Sequence, residues 1–236
     1  MPPQDDRAQG YGWRRYSPLP VGVYRNSVPV FLAVLILFII TTPFAQQLPD
    51  PGFVEALLLT LVLICGVLAG GGRRGALALS MLLALGGLGA IWVHHFRPEW
   101  VAPGVHLAFG ILLLAVVAFH LLRFILRAPR VDAEVLSAGI ATYLVLGIMW
   151  ALAYVFVAGV VPDAFVIKGE HVASRPFDGF HALYFSFVTL CTIGYGDIVP
   201  ATPVAKMLAM VEGIMGVLYP AILIARLVTL YSDKPR

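Results

Sequence analysis

Charge is scarce in this sequence. Asp, Glu, Lys and Arg make up 12 % of the 236 residues, where an ordinary soluble domain carries about 25 %. So few charges cannot cover a water-facing surface, and with 60 % hydrophobic residues the composition is that of an integral membrane protein. Cysteine is nearly absent: Cys65 and Cys191 lie in apolar stretches without paired or metal-ligand spacing, which excludes a disulfide framework. There is no nucleophile–base set, no pair of carboxylates in one loop and no phosphate-binding glycine loop, so an enzyme is not expected. Nor is a nucleic-acid partner. The first 27 residues are polar and proline-rich and carry Arg7, Arg14, Arg15 and Arg25. They lack the basic start, apolar core and cleavage site of a secretory signal, so the first apolar run is expected to stay in the mature chain.

What the sequence has in quantity is apolar runs of about 20 residues, the length that crosses a hydrocarbon core of about 30 Å. Six are read as spans, over residues 27–46, 53–70, 76–93, 103–126, 133–161 and 203–231, with a shorter apolar helix over 179–191. The expected fold class is an all-α integral membrane protein. Its parts are a tail (1–26), a four-helix scaffold (27–127) and a second unit (128–236). If spans alternate, Arg7, Arg14, Arg15, Arg25, Arg73, Arg74, Arg123, Arg127, Arg130, Arg226, Lys234 and Arg236 share one side. Arg97, Lys168, Arg175 and Lys206 take the other, a division of 12 to 4 among the 16 basic residues. The positive-inside rule then makes both termini cytoplasmic, and the loop between the last two spans enters from outside.

That loop carries Thr192-Ile193-Gly194-Tyr195-Gly196-Asp197. Gly-Tyr-Gly-Asp by itself is also a turn between helices in soluble proteins, and its apolar flanks make the difference here. Successive backbone carbonyls can point one way only if some residues adopt dihedrals forbidden to ordinary side chains, which gives Gly194 and Gly196 a steric purpose. A row of carbonyls offers oxygens to a dehydrated cation without full charges that would trap it. The stretch resembles the selectivity-filter signature of potassium channels, and the layout resembles that of small bacterial six-span channels with a degenerate sensor region. The resemblance implies a re-entrant pore helix and filter between spans five and six. K+ would be held as permeant ion by oxygens of Thr192, Ile193, Gly194 and Tyr195, with Gly196 completing the filter and Asp197 just outside its mouth. One filter per chain supplies a quarter of the cage, so closure requires three further identical subunits in a membrane, the plasma membrane and by resemblance a bacterial inner membrane. No cofactor is implied.

Tyr184, Phe185, Val188 and Cys191 are the expected filter supports, together with Asp197. Tyr184 and Phe185 stand where the family often has two tryptophans; Tyr184 can donate to Asp197, whereas Phe185 cannot donate at all, so a less firmly braced filter is expected. Cys191 replaces a usual threonine, with gating and plain packing both open as its role. In the last span Gly213 and Pro220 occupy positions similar to those of a flexible glycine and a proline bend, and a kink is expected near Tyr219. Glu212, beside Gly213, is a carboxylate deep in an apolar span, where ionisable groups are functional by default. Two roles stay open for it: drawing cations or protons near the inner end of the filter, or a protonated, hydrogen-bonded strut behind the pore helix.

The fourth span has no basic residue before Arg123, so strong voltage sensing is not expected. Gly66, Gly70, Gly86, Gly87 and Gly89 suit close helix packing. His171 and His181 are candidates for sensing external pH, read more plainly as bystanders, and His94-His95 with Glu99 makes a poor metal site. Too few residues follow Tyr231 for a ligand-binding domain, so gating by such a ligand is expected to need another subunit. The principal expectation is a potassium-selective homotetrameric channel. The alternatives are a voltage-dependent or weakly selective cation channel and, in another class, a non-conducting scaffold or an enzyme.

Overall fold

The computed structural model describes residues 21–45, 47–69, 74–97, 100, 104–167 and 177–232. His171, Glu99, Gly70 and the residues before 21 lie outside them. The elements run α1 (Val21–Ala45), α2 (Pro51–Ala69), α3 (Arg74–Phe96), α4 (Val105–Arg127), α5 (Ala133–Val160), β1 (Phe165–Ile167), α6 (Gly179–Leu190), β2 (Ile198–Pro200) and α7 (Pro203–Ser232). Six of the helices are long and apolar enough to cross a membrane. The protein is therefore an all-α multi-pass membrane protein whose only strands, among the described residues, are one short pair. α1 starts at Val21, and α3 runs to Phe96, three residues past the expected end.

Helix boundaries follow local chemistry. Asp50 Oδ1 accepts the Phe53 N–H at 3.0 Å at the start of α2, whose first residue is Pro51, where a missing N–H costs nothing. Asp132 caps α5 by accepting the Val135 N–H at 2.9 Å. Gly86 and Gly87 bring α3 against Phe109 of α4, and Gly66 brings α2 against Phe31 and Val117; Gly89 faces open space.

α5 is the hub. It packs on α4, α1 and α6, and 61 % of its apolar window is buried, against 17 % for α7. Val145, Ile148 and Tyr154 of α5 lie in one core with Leu35 of α1, Leu113 and Leu121 of α4 and Leu190 of α6. The strands form an antiparallel pair with Phe165 opposite Pro200, Val166 opposite Val199 and Ile167 opposite Ile198. Three residues are too few to signal a strand in sequence; the pair ties the chain after α5 to the chain after residues 192–197. At the other end of the bundle the Arg226 guanidinium of α7 donates to the Ala128 carbonyl, 3.0 Å away, in the short link from α4 to α5.

Candidate functional site

α6 has 12 residues and so is about 18 Å long, too short to cross a bilayer core. Asp178 caps it: Oδ1 accepts the His181 N–H at 2.9 Å and lies 2.7 Å from His181 Nδ1. Beyond Leu190 the backbone folds back onto the helix end. The Cys191 N–H reaches the Phe187 carbonyl at 2.9 Å, Thr192 reaches Thr189 at 2.9 Å, and Ile193 and Gly194 both reach Val188 at 2.9 and 3.3 Å. These bonds satisfy carbonyls that every helix C-terminus leaves open. They also turn four consecutive N–H groups toward α6. Among the described residues, no backbone donor meets the carbonyls of Thr192, Ile193, Gly194 or Tyr195.

The dihedrals alternate across the stretch. Thr192, Gly194 and Gly196 have φ of 58°, 57° and 74°, in the left-handed region, and Ile193 and Tyr195 do not. An extended strand points its carbonyls to alternating sides, and a left-handed residue at every second place cancels that alternation. Ile193 and Tyr195 are 53 % and 69 % exposed in the single chain, a large apolar exposure for residues held between apolar helices.

Beyond the stretch, Asp197 Oδ2 accepts from the Tyr184 hydroxyl at 2.7 Å and Oδ1 from the Ile198 N–H at 3.0 Å. The tyrosine bond holds the Asp197 carboxyl below its usual 3.8, and the same bond pushes the Tyr184 hydroxyl up to about 12. The brace therefore holds fully above about pH 3.8 and is lost as pH falls through the lowered carboxyl value. On the alkaline side it weakens only as pH rises from 10 through about 12. Tyr184→Phe is expected to lower thermal stability by a few degrees through the loss of one exposed hydrogen bond to a charged group, and melting followed between pH 5 and 9 is expected to show no step from this pair.

The other expected supports are placed differently. Phe185 is buried edge-on to Tyr154 and Phe165 with ring centroids 5.0 and 5.4 Å apart. Val188 acts through its carbonyl. Cys191 is exposed, with Sγ 3.4 Å from the hydroxyl of Tyr143, which donates to the Leu190 carbonyl at 3.2 Å. His181 is bound to its own helix cap, and His94 stacks on His106 at 4.4 Å. Among the described residues, no group of three His, Cys, Asp or Glu side chains is placed to hold a metal.

In α7 the Glu212 side chain is fully buried between α5 and α6, where its carboxyl meets the hydroxyls of Tyr154 and Ser186. Gly213 has nothing within 4 Å of where a Cβ would stand. Gly216, which position alone did not single out, is pressed against α6: a Cβ there would lie 2.0 Å from the Leu190 carbonyl oxygen. Pro220 sits inside the continuous helix, and its missing N–H takes the intrahelical donor from the Gly216 carbonyl. Tyr219, the residue before Pro220, donates to the Gly139 carbonyl of α5 at 2.7 Å. Tyr154, Ser186, Tyr143 and Gly216 were not anticipated as part of the site. Their one sequence signal is a polar or minimal side chain in an apolar helix, and many such residues merely bond their own helix, as Thr142 does.

Residues 140–233 match the family described as Ion channel. Over 52 residues the chain is 50 % identical to Two pore potassium channel c of Oryza sativa subsp. japonica, covering 22 % of this chain and 11 % of that protein. It is 48 % identical over 52 residues to Two-pore potassium channel 5 of Arabidopsis thaliana, 22 % of this chain and 13 % of the other. It is 36 % identical over 76 residues to the Inward rectifier potassium channel Kirbac3.1 of Paramagnetospirillum magnetotacticum, 32 % of this chain and 22 % of the other. The matches thus span about a tenth to a fifth of the relatives' own lengths. No solved structure matches the chain. A short capped helix, a stretch of unclaimed carbonyls and two long apolar helices beside them define an ion-channel domain. Residues 140–233 thus match an ion-channel domain, and within them the chain is similar to potassium channels.

Proposed function

We propose that this chain is a subunit of a homotetrameric, potassium-selective pore that conducts K+ passively through the carbonyls of Thr192, Ile193, Gly194 and Tyr195. The observation that carries the reading is the alternating backbone of residues 192–196, with its N–H groups bound to α6 and its carbonyls unclaimed. Four copies close the cage. The apolar face of α7, exposed in a single chain at Met210, Ile214, Val217 and Ile224, then lines the inner cavity and meets neighbouring subunits. Non-helical backbone at membrane depth is tolerated only when protein buries it or it lines water, which a tetramer provides and a lone chain does not. α6 enters from outside with its carbonyl end toward the cavity, where a partial negative charge favours a cation. Both termini are cytoplasmic by the charge division, in the plasma membrane of a bacterium.

The scaffold shields the pore from lipid. α4 carries Arg123 and Arg127 only near its end, and a charge must cross the field to gain about 2.3 kcal/mol per 100 mV. Current is accordingly expected to follow the driving force across voltage, and Arg123→Gln to leave the current–voltage curve unmoved. Pro220 removes one intrahelical bond from the inner half of α7 and Arg226 ties that half to Ala128, which supports reading it as the segment whose movement opens or closes the pore. Ion release from liposomes tests the proposal. K+ efflux with little Na+ efflux supports it, and absent flux or equal flux of the two ions overturns it.

A further inference from the structure

Glu212 sits in a chain of four oxygen-bearing groups. Its Oε2 meets the Tyr154 hydroxyl of α5, its Oε1 meets the Ser186 hydroxyl of α6 at 2.5 Å, and Ser186 Oγ also lies 2.8 Å from the Gly147 carbonyl of α5. Each of these three oxygen–oxygen contacts is close enough to require a proton between its atoms. The two hydroxyls bring one proton each, and the carbonyl can only accept. Two protons cannot serve three contacts.

On the pore reading above, we infer that Glu212 is a neutral carboxylic acid and a positioning residue for the filter. Its own proton, on Oε1, supplies the third bond. The order is then fixed: Tyr154 donates to Oε2, Oε1–H donates to Ser186, and Ser186 donates to the Gly147 carbonyl. The surroundings agree. The side chain is fully buried, and the polar groups of the neighbouring helices are the hydroxyls of Tyr154, Tyr143 and Ser186; among the described residues no Lys, Arg or His donates to it. An ionised carboxylate there would be a buried charge without a partner ion. Ser186 is six residues before Thr192, so the chain of bonds ties α7 and α5 to the helix that carries the filter.

A carboxamide has one donating and one accepting end, as a neutral acid does, whereas an ionised carboxylate only accepts. Glu212→Gln can therefore keep all three bonds, with its NH2 on Ser186 and its carbonyl on Tyr154. Purified tetramers of native protein, Glu212→Gln and Ser186→Ala are compared by infrared spectroscopy at neutral pH and by thermal stability. The expected result is a protonated-acid carbonyl band in the native protein, lost in Glu212→Gln and moved to higher frequency in Ser186→Ala. Glu212→Gln is also expected to assemble and to melt within a few degrees of the native protein. No acid band in the native protein, a band unmoved by Ser186→Ala, or failure of Glu212→Gln to assemble would each overturn the inference. The infrared signature needs no conduction: native tetramers that show the band but pass no K+ would refute the proposed function and leave the protonation of Glu212 standing.

Discussion

In the proposed tetrameric pore, Gly216→Ala is expected to cost several degrees of thermal stability and more than about tenfold of the K+ flux. A methyl at this position would lie 2.0 Å from the Leu190 carbonyl oxygen, 2.8 Å from its carbon and 3.1 Å from its Cα. All three obstacles are backbone, which cannot rotate aside as a side-chain tip can. Either α7 retreats or the end of α6 moves, and Leu190 is two residues before Thr192. The displaced carbonyl is also the one that receives the Tyr143 hydroxyl. Overpacking of a well-filled contact costs about 1–3 kcal/mol, here repeated in each subunit and delivered at the inner end of the filter. Gly213→Ala is the matched control. With open space around its Cβ position, it is expected to be neutral or to gain up to about 1 kcal/mol of helix propensity. Size-exclusion chromatography, melting and liposome flux on both variants check the contrast, and equal effects would contradict the close approach of α7 to α6.

The second large effect is expected at Gly194, with φ at 57° and nothing within 4 Å of its Cβ position. Space is not the obstacle; chirality is. An L side chain in the left-handed region costs about 1–2 kcal/mol, or about 4–8 kcal/mol over four copies of the ring. Relaxing that strain means giving up φ above zero, which turns the Gly194 carbonyl away from its neighbours. Gly194→Ala is therefore expected to assemble while losing K+ conduction or the preference for K+ over Na+. The contrast with Gly216→Ala separates a defect of the carbonyl row from a defect of helix packing. Thr192 is in the same region with φ at 58° and a full side chain, held there by its N–H bond to Thr189.

The spans and the left-handed turns at Gly194 and Gly196 were legible because their signals are local. A run of apolar residues states its length, and Gly194 and Gly196 mark the positions where backbone must turn left-handed. The bond from Tyr184 to Asp197 was within reach too, since 13 residues of helix and filter separate a donor from the acceptor beyond it. What stayed hidden depends on the rotation of α7 about its axis. Gly213 and Gly216 are three residues apart on one helix, and only contact with α6 decides which is pressed and which is open. The partners of Glu212 are 58 and 26 residues away, and nothing in the sequence around Tyr154 or Ser186 distinguishes them from other polar residues in apolar helices. The pair of three-residue strands is beyond the reach of periodicity for a simpler reason: it is shorter than the pattern that would reveal it.

The central claim is that the carbonyls of residues 192–195 select K+, and the reversal potential of a single-channel recording tests it most directly. With K+ on one side of a planar bilayer and an equal concentration of Na+ on the other, each tenfold of selectivity displaces the reversal by about 59 mV. A displacement beyond about 100 mV toward the K+ equilibrium is expected for the native protein, and its collapse toward zero for Gly194→Ala. A native channel that reverses near zero under these conditions would contradict the account.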